Sequence, residues 1–132
     1  MKLDDILTEG NMYTAYVLDD ASRELLMKKY PPRYEKVVGH HVTVAFGVPE
    51  GTEPPADAKL NVLGRVDSGD GLEALVVAVD GDRTRPDGKT YHVTWSLDPD
   101  KYKPVDSNDL IARKQFTLSQ PTAITAKPTV LK

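Results

Sequence analysis

The chain has 132 residues, 39% of them hydrophobic and 28% charged, with a formal net charge of -3 and no cysteine. That is long enough for one buried core and fits a soluble globular protein. The acidic balance argues against a broad duplex-coating surface, so duplex DNA is not an expected partner, and without cysteine neither disulfides nor thiolate metal sites are available.

No apolar run approaches the roughly 18 residues of a membrane span, and the first residues lack a signal-peptide core. A cytoplasmic protein with no membrane partner is the expectation. No linker is long enough to divide the chain, so residues 1–132 are expected to form one domain, with 1–11 as a possible N-terminal tail.

Met1 to Gly10 places Leu3, Ile6 and Leu7 at helical spacing and suggests a marginal helix ended by Gly10. Met12 to Leu18 reads as the first strand, in a central position. Asp19 or Asp20 can cap the helix that follows, with Leu25, Leu26 and Met27 as its buried stripe. Pro31-Pro32 stops that helix, and Arg33 to Gly39 is a connector. His41 to Phe46 is β-branched and aromatic and predicts a strand, and Pro49 to Ala56 is a surface loop.

Lys59 to Asp67 predicts a half-buried strand bulged near Gly64, and Ser68-Gly69-Asp70-Gly71 is a turn. Leu72 to Asp80 is nearly all apolar, as expected of a strand covered on both faces. Gly81 to Lys89 is a polar loop returning the chain to a second motif strand, His92 to Leu97, antiparallel to its predecessor. Asp98 to Asp106 is a connection, and Ser107 to Ile111 follows with no assigned element. Strand character returns around Phe116, Leu118 and Ile124, at an edge because of Pro121. The last residues are expected to fray.

The most informative feature is a repetition. His41-Val42-Thr43-Val44-Ala45-Phe46 is echoed fifty-one positions later by His92-Val93-Thr94-Trp95-Ser96-Leu97. Strand alternation puts Val42, Val44 and Phe46 on one face of the first run, with His41, Thr43 and Ala45 on the other. In the second, Val93, Trp95 and Leu97 are apolar together, opposite His92, Thr94 and Ser96. Two of the three histidines in the chain therefore carry a threonine two residues on, away from the core.

This pairing suits in-line displacement at phosphorus. One neutral imidazole takes a proton from water while the other, protonated, gives one to the leaving oxygen. The hydroxyls of Thr43 and Thr94 can donate to the non-bridging phosphate oxygens, which needs no metal or other cofactor. A metal site is a competing reading of the imidazoles, but no carboxylate accompanies either at ligand-like spacing.

The two motifs resemble the paired His-x-Thr/Ser signatures of the two-histidine phosphoesterase superfamily, and the order of elements from Met12 to Ile124 matches. Trp95-Ser96-Leu97 followed by Lys103-Pro104-Val105-Asp106-Ser107-Asn108 is similar to the segment after the second motif in the cyclic phosphodiesterase domain of fungal and plant tRNA ligases.

The resemblance implies a two-lobed α+β fold with a concave antiparallel sheet and the motifs in its central cleft. It implies metal-independent opening of a cyclic phosphodiester, with His41, Thr43, His92 and Thr94 catalytic. The implied substrates are 2',3'-cyclic phosphates of RNA 3' ends or nucleotides. Members commonly place a helix before the second motif. Gly81 to Thr90 is too short for it, which leaves one main helix and a minimal second lobe.

Further candidates for substrate binding are Ser96, which continues the polar face, Arg85 and Lys103 as phosphate contacts, Tyr102 as a stacking aromatic, and Tyr16. Tyr13 and Tyr16 lie on opposite faces of the first strand, so one of them faces the cleft. Arg83, Lys89 and Lys101 are read as surface charges, and His40 as structural, facing away from His41. Two alternatives remain open. One is a viral anti-defence phosphodiesterase degrading cyclic oligonucleotide signals; the other is a non-catalytic module binding a nucleotide or RNA end.

Overall fold

In the computed structural model, which describes residues 12–114 and 118–132, eight strands and two helices form an α+β fold. The expected helix over Met1 to Gly10 and the strand character at Phe116 lie outside the described residues. The strands are β1 (Tyr13–Leu18), β2 (Lys36–Val37), β3 (His41–Phe46), β4 (Leu60–Asp67), β5 (Leu72–Val79), β6 (His92–Leu97), β7 (Thr122–Ile124) and β8 (Ala126–Leu131). The helices are α1 (Asp20–Lys29) and α2 (Asp106–Arg113).

All pairings are antiparallel. One sheet has the order β3-β1-β8 and the other β2-β6-β5-β4-β7. β3 and β6, the two motif strands, lie side by side where the sheets meet. The connector bridges them: the Val38 and Gly39 amides donate to the Trp95 and Thr94 carbonyls at 2.9 and 3.0 Å.

Local chemistry accounts for the ends of α1. The Asp19 carboxylate accepts from the Ser22 amide at 2.8 Å, satisfying one of the helix's orphan donors, and Tyr30 closes it ahead of Pro31-Pro32. Its buried face is Ser22 and Leu26, while Leu25 is exposed; the apolar stripe is narrower than the sequence suggests. Leu26 joins Tyr30, Val42, Leu75, Val93 and Trp95 in the main core. A smaller core of Val66, Leu72, Val76 and Leu97 packs under Leu110 of α2. β5 lies between the two cores, which is why all eight of its residues are buried.

Three expectations are corrected. The C-terminal residues do not fray: Ala126–Leu131 pair with β1 along its whole length. Beside the one main helix expected, the described residues hold a second, shorter helix after the second motif. Asp106 and Asp109 in its first turn and Arg113 in its last complement the helix dipole, a signal present in the sequence.

The third correction concerns strand faces. Ala15 pairs with Thr43 and Thr14 with Ala45, so Val44 is an extra residue in β3. Ala74 pairs with Thr94 and Glu73 with Ser96, so Trp95 is an extra residue in β6. Each bulge falls three residues after its histidine, and each reverses the alternation beyond it. Phe46 therefore opposes Tyr13 on the His41 side, and Leu97 joins the smaller core on the His92 side. Strict alternation had put both with the main core.

Candidate active site

A cleft of about 400 Å³ opens where β3 and β6 meet, and His41, Thr43, His92 and Thr94 all line it. Val38 of the connector also lines it, and the remaining walls come from three places. Tyr13 and Phe46 form one aromatic side, Arg85, Asp87 and Lys89 come from the loop before β6, and Pro104, Val105 and Asn108 come from the start of α2.

The histidines are held differently. His92 is 8% exposed, and its Nδ1 lies 2.8 Å from the Thr90 carbonyl oxygen. A carbonyl only accepts, so Nδ1 carries the proton and the neutral ring keeps its lone pair on Nε2. Burial holds the His92 pKa below the usual histidine value and the positive Arg85 adds to this, while the Thr90 bond works in the opposite sense.

His41 is half-buried, and its ring stands 5.3 Å from that of Tyr13. Its pKa is lowered to about 4 by burial, then by His40 and by His92. The two imidazoles line the same cleft from neighbouring strands. Both are neutral at pH 7 in the free protein.

The threonines also differ. Thr94 Oγ1 donates to the Pro104 carbonyl at 3.1 Å and lies 2.9 Å from Ser107 Oγ, so its hydroxyl is committed to α2. Thr43 has no side-chain hydrogen bond among the described residues and faces the cleft free.

Arg85 is 5% exposed and pairs with Asp87 through Nε at 2.9 Å and Nη2 at 3.0 Å. Pro86 and Asp87 are the central residues of a turn closed by the Gly88 amide on the Arg85 carbonyl at 2.9 Å. Proline pre-sets the backbone at the second position of such a turn, which fixes the guanidinium against the cleft wall. Nη1 is uncommitted among the described residues and available to an anion.

Arg85 is the one additional binding candidate that lines the cleft; the other four stand elsewhere. Ser96 follows the bulge at Trp95, which turns it off the motif face; it donates to buried Glu73 and accepts from the Tyr34 amide at 3.1 Å. Tyr16 points into the main core and donates to the Ala56 carbonyl at 2.6 Å, so Tyr13 is the tyrosine in the cleft. The Tyr102 hydroxyl donates to Asp70 at 2.7 Å, and its ring packs beside Gly71. Lys103 is exposed away from the cleft.

Sequence reasoning missed Phe46, because the bulge at Val44 was not anticipated, and Ser107 and Asn108, because α2 was not assigned. It also set His40 facing away, whereas His40 Nδ1 lies 2.9 Å from His41 Nδ1.

Among the described residues, no three His, Cys, Asp or Glu side chains gather in a way that would hold a metal ion. No helix there is long and apolar enough to cross a membrane. Comparison with models of known families, with curated proteins and with solved structures returns no match.

Proposed function

We propose that the chain is a phosphodiesterase of the two-histidine phosphoesterase type that opens cyclic phosphates. The substrates in this reading are 2',3'-cyclic phosphate ends of RNA or the corresponding nucleotides. The observation that carries it is the convergence of two His-Val-Thr couples, each followed by a bulge at the same offset, on one cleft.

In ring opening, His41 is the base and His92 the acid. Every influence on His41 keeps it unprotonated, whereas the Thr90 carbonyl supports the charged form of His92. His41 takes a proton from water, the water oxygen bonds to phosphorus in line with the departing ribose oxygen, and His92 protonates that oxygen as its bond to phosphorus breaks. Thr43 donates to a non-bridging oxygen; Thr94 joins it by turning its O–H away from the Pro104 carbonyl. Arg85 and Lys89 balance the phosphate charge, an electrostatic contribution realised most fully as the transition state gains charge.

The test is phosphorus NMR of products from a substrate panel of 2',3'-cyclic nucleotides, an RNA with a cyclic phosphate end, and 3',5'-linked cyclic oligonucleotides. The parental protein should open the first two and survive chelator, and His41→Ala and His92→Ala should each lose roughly 10²–10⁴-fold in rate. Full turnover by both variants would end the reading. Turnover confined to the cyclic oligonucleotides would redirect it to signal degradation. Tight retention of unaltered nucleotide would favour a binding module.

A further inference from the structure

The two motifs match in sequence and in their bulges, but the partner of the histidine Nδ1 differs. For His92 that partner is the backbone carbonyl two residues earlier, Thr90. The equivalent carbonyl before His41 belongs to Gly39, and it accepts from Arg23 Nε at 3.1 Å. Nδ1 of His41 meets Nδ1 of His40 instead, at 2.9 Å with the rings edge-on at 79°. Adjacent residues of a regular strand point to opposite faces. This contact exists because His40 precedes β3 and follows Gly39, whose φ of +48° turns the chain.

A short contact between two imidazole nitrogens needs a proton on one and a lone pair on the other. We infer that His40 is the positioning residue for His41: its Nδ1 accepts from His41 Nδ1–H, which leaves the lone pair of neutral His41 on Nε2. The inference rests on the reading of His41 as the base. A base needs that lone pair.

The arrangement does for His41 what Thr90 does for His92, with one difference. A carbonyl is a permanent acceptor, whereas the imidazole of His40 accepts at Nδ1 only as the tautomer with its proton on Nε2.

The charged and titratable groups around the pair are few. His41 is faced by Tyr13 from β1, by His92 from β6 and by the other cleft residues Arg85, Asp87 and Lys89. His40 shares an open groove on the other side with Asp19 and Lys127, of opposite charge.

The test is proton–nitrogen NMR of the three imidazoles near pH 7.5, assigned with His40→Phe and His92→Ala. His41 should carry its proton on Nδ1 in the parental protein and on Nε2 in His40→Phe. His40→Asn, whose amide oxygen stands near the position of Nδ1, should restore the Nδ1–H form. In activity, His40→Phe should lose about 10–100-fold in kcat with little change in KM, and His40→Asn should recover most of it, as for other ring-orienting partners. A His41 proton on Nε2 in the parental protein, or the same tautomer in all variants, would overturn the inference. Failure of the parental protein to open any cyclic phosphate would remove the functional reading, and the tautomer result would still decide the His40–His41 contact by itself.

Discussion

Gly39 lies against the indole of Trp95 so closely that a Cβ on it would stand 2.9 Å from Cζ3 and 3.2 Å from Cε3. The contact joins the residue that turns the chain into the first motif strand to the bulged residue of the second. Two costs fall on any side chain there: a φ of +48°, worth roughly 1–2 kcal/mol for an L-residue, and overpacking against a fully buried ring, roughly 1–3 kcal/mol. Gly39→Ala should therefore lower unfolding free energy by about 2–5 kcal/mol in urea titration. Because the connector also bonds Thr94 and Trp95, turnover should fall in the folded fraction too. A variant as stable and as active as the parent would show that this contact does not set the spacing of the motifs.

The pH dependence follows from the two imidazoles. The proposed reaction needs one charged and one neutral ring, and kcat/KM reports the free protein. His41 titrates at about 4, and His92 is held below the ordinary 6.5 by burial and Arg85. The singly protonated form therefore peaks between those two values, on the acid side of 6.5. Above it both rings are neutral and kcat/KM falls; near and below about 4 both become charged and it falls again. A bound phosphate anion favours both charged forms, so the optimum of kcat should lie at higher pH than that of kcat/KM. Arg85→Gln removes a positive neighbour of His92 and should move the alkaline limb to higher pH. A kcat/KM optimum above pH 7 in the parental protein would contradict the burial of this pair.

What the sequence showed best was whatever depends on local pattern: the motif strands, the cap at Asp19, the hairpin turn before Gly71 and the doubly covered β5. The four motif residues were placed on one cleft for the same reason, since His and Thr sit before the bulge in each run and strict alternation still holds there. Beyond Val44 and Trp95 it does not, because a bulge arises from pairing with a partner strand and leaves no composition signal of its own. Phe46 and Ser96 were misplaced on that account. Tyr16 was mistaken for Tyr13 because alternation shows that two tyrosines face apart without showing which side is core. The His40 contact depends on the positive φ of Gly39, which a glycine permits but does not announce.

The two threonines should respond differently to the same substitution. Thr94 is buried and linked to Pro104 and Ser107, so Thr94→Val leaves both without their partner and should cost about 1–3 kcal/mol of stability. Thr43 makes no such bond, and Thr43→Val should leave the urea midpoint nearly unchanged. Both should reduce kcat if each threonine is a donor to the phosphate as proposed. Equal losses of stability would mean that Thr43 has a structural partner.

Phe46 tests the aromatic wall. The residue is 65% exposed and its ring stacks on Tyr13 at 5.8 Å with 26° between planes, so it contributes little to the core. Surface truncations of this kind usually change stability by less than about 0.5 kcal/mol. A base seated on this pair would gain stacking worth roughly 1–3 kcal/mol, so Phe46→Ala should raise KM for a nucleoside cyclic phosphate by about 5–150-fold. In the proposed reaction the phosphorus is held by the histidines and threonines, so kcat should change far less. A substrate without a base, such as a simple cyclic alkyl phosphate, should be indifferent to the substitution. If KM for the nucleotide were also unmoved, the base would not stack on Phe46, and the side of the cleft near Pro104 and Val105 would be the next place to probe.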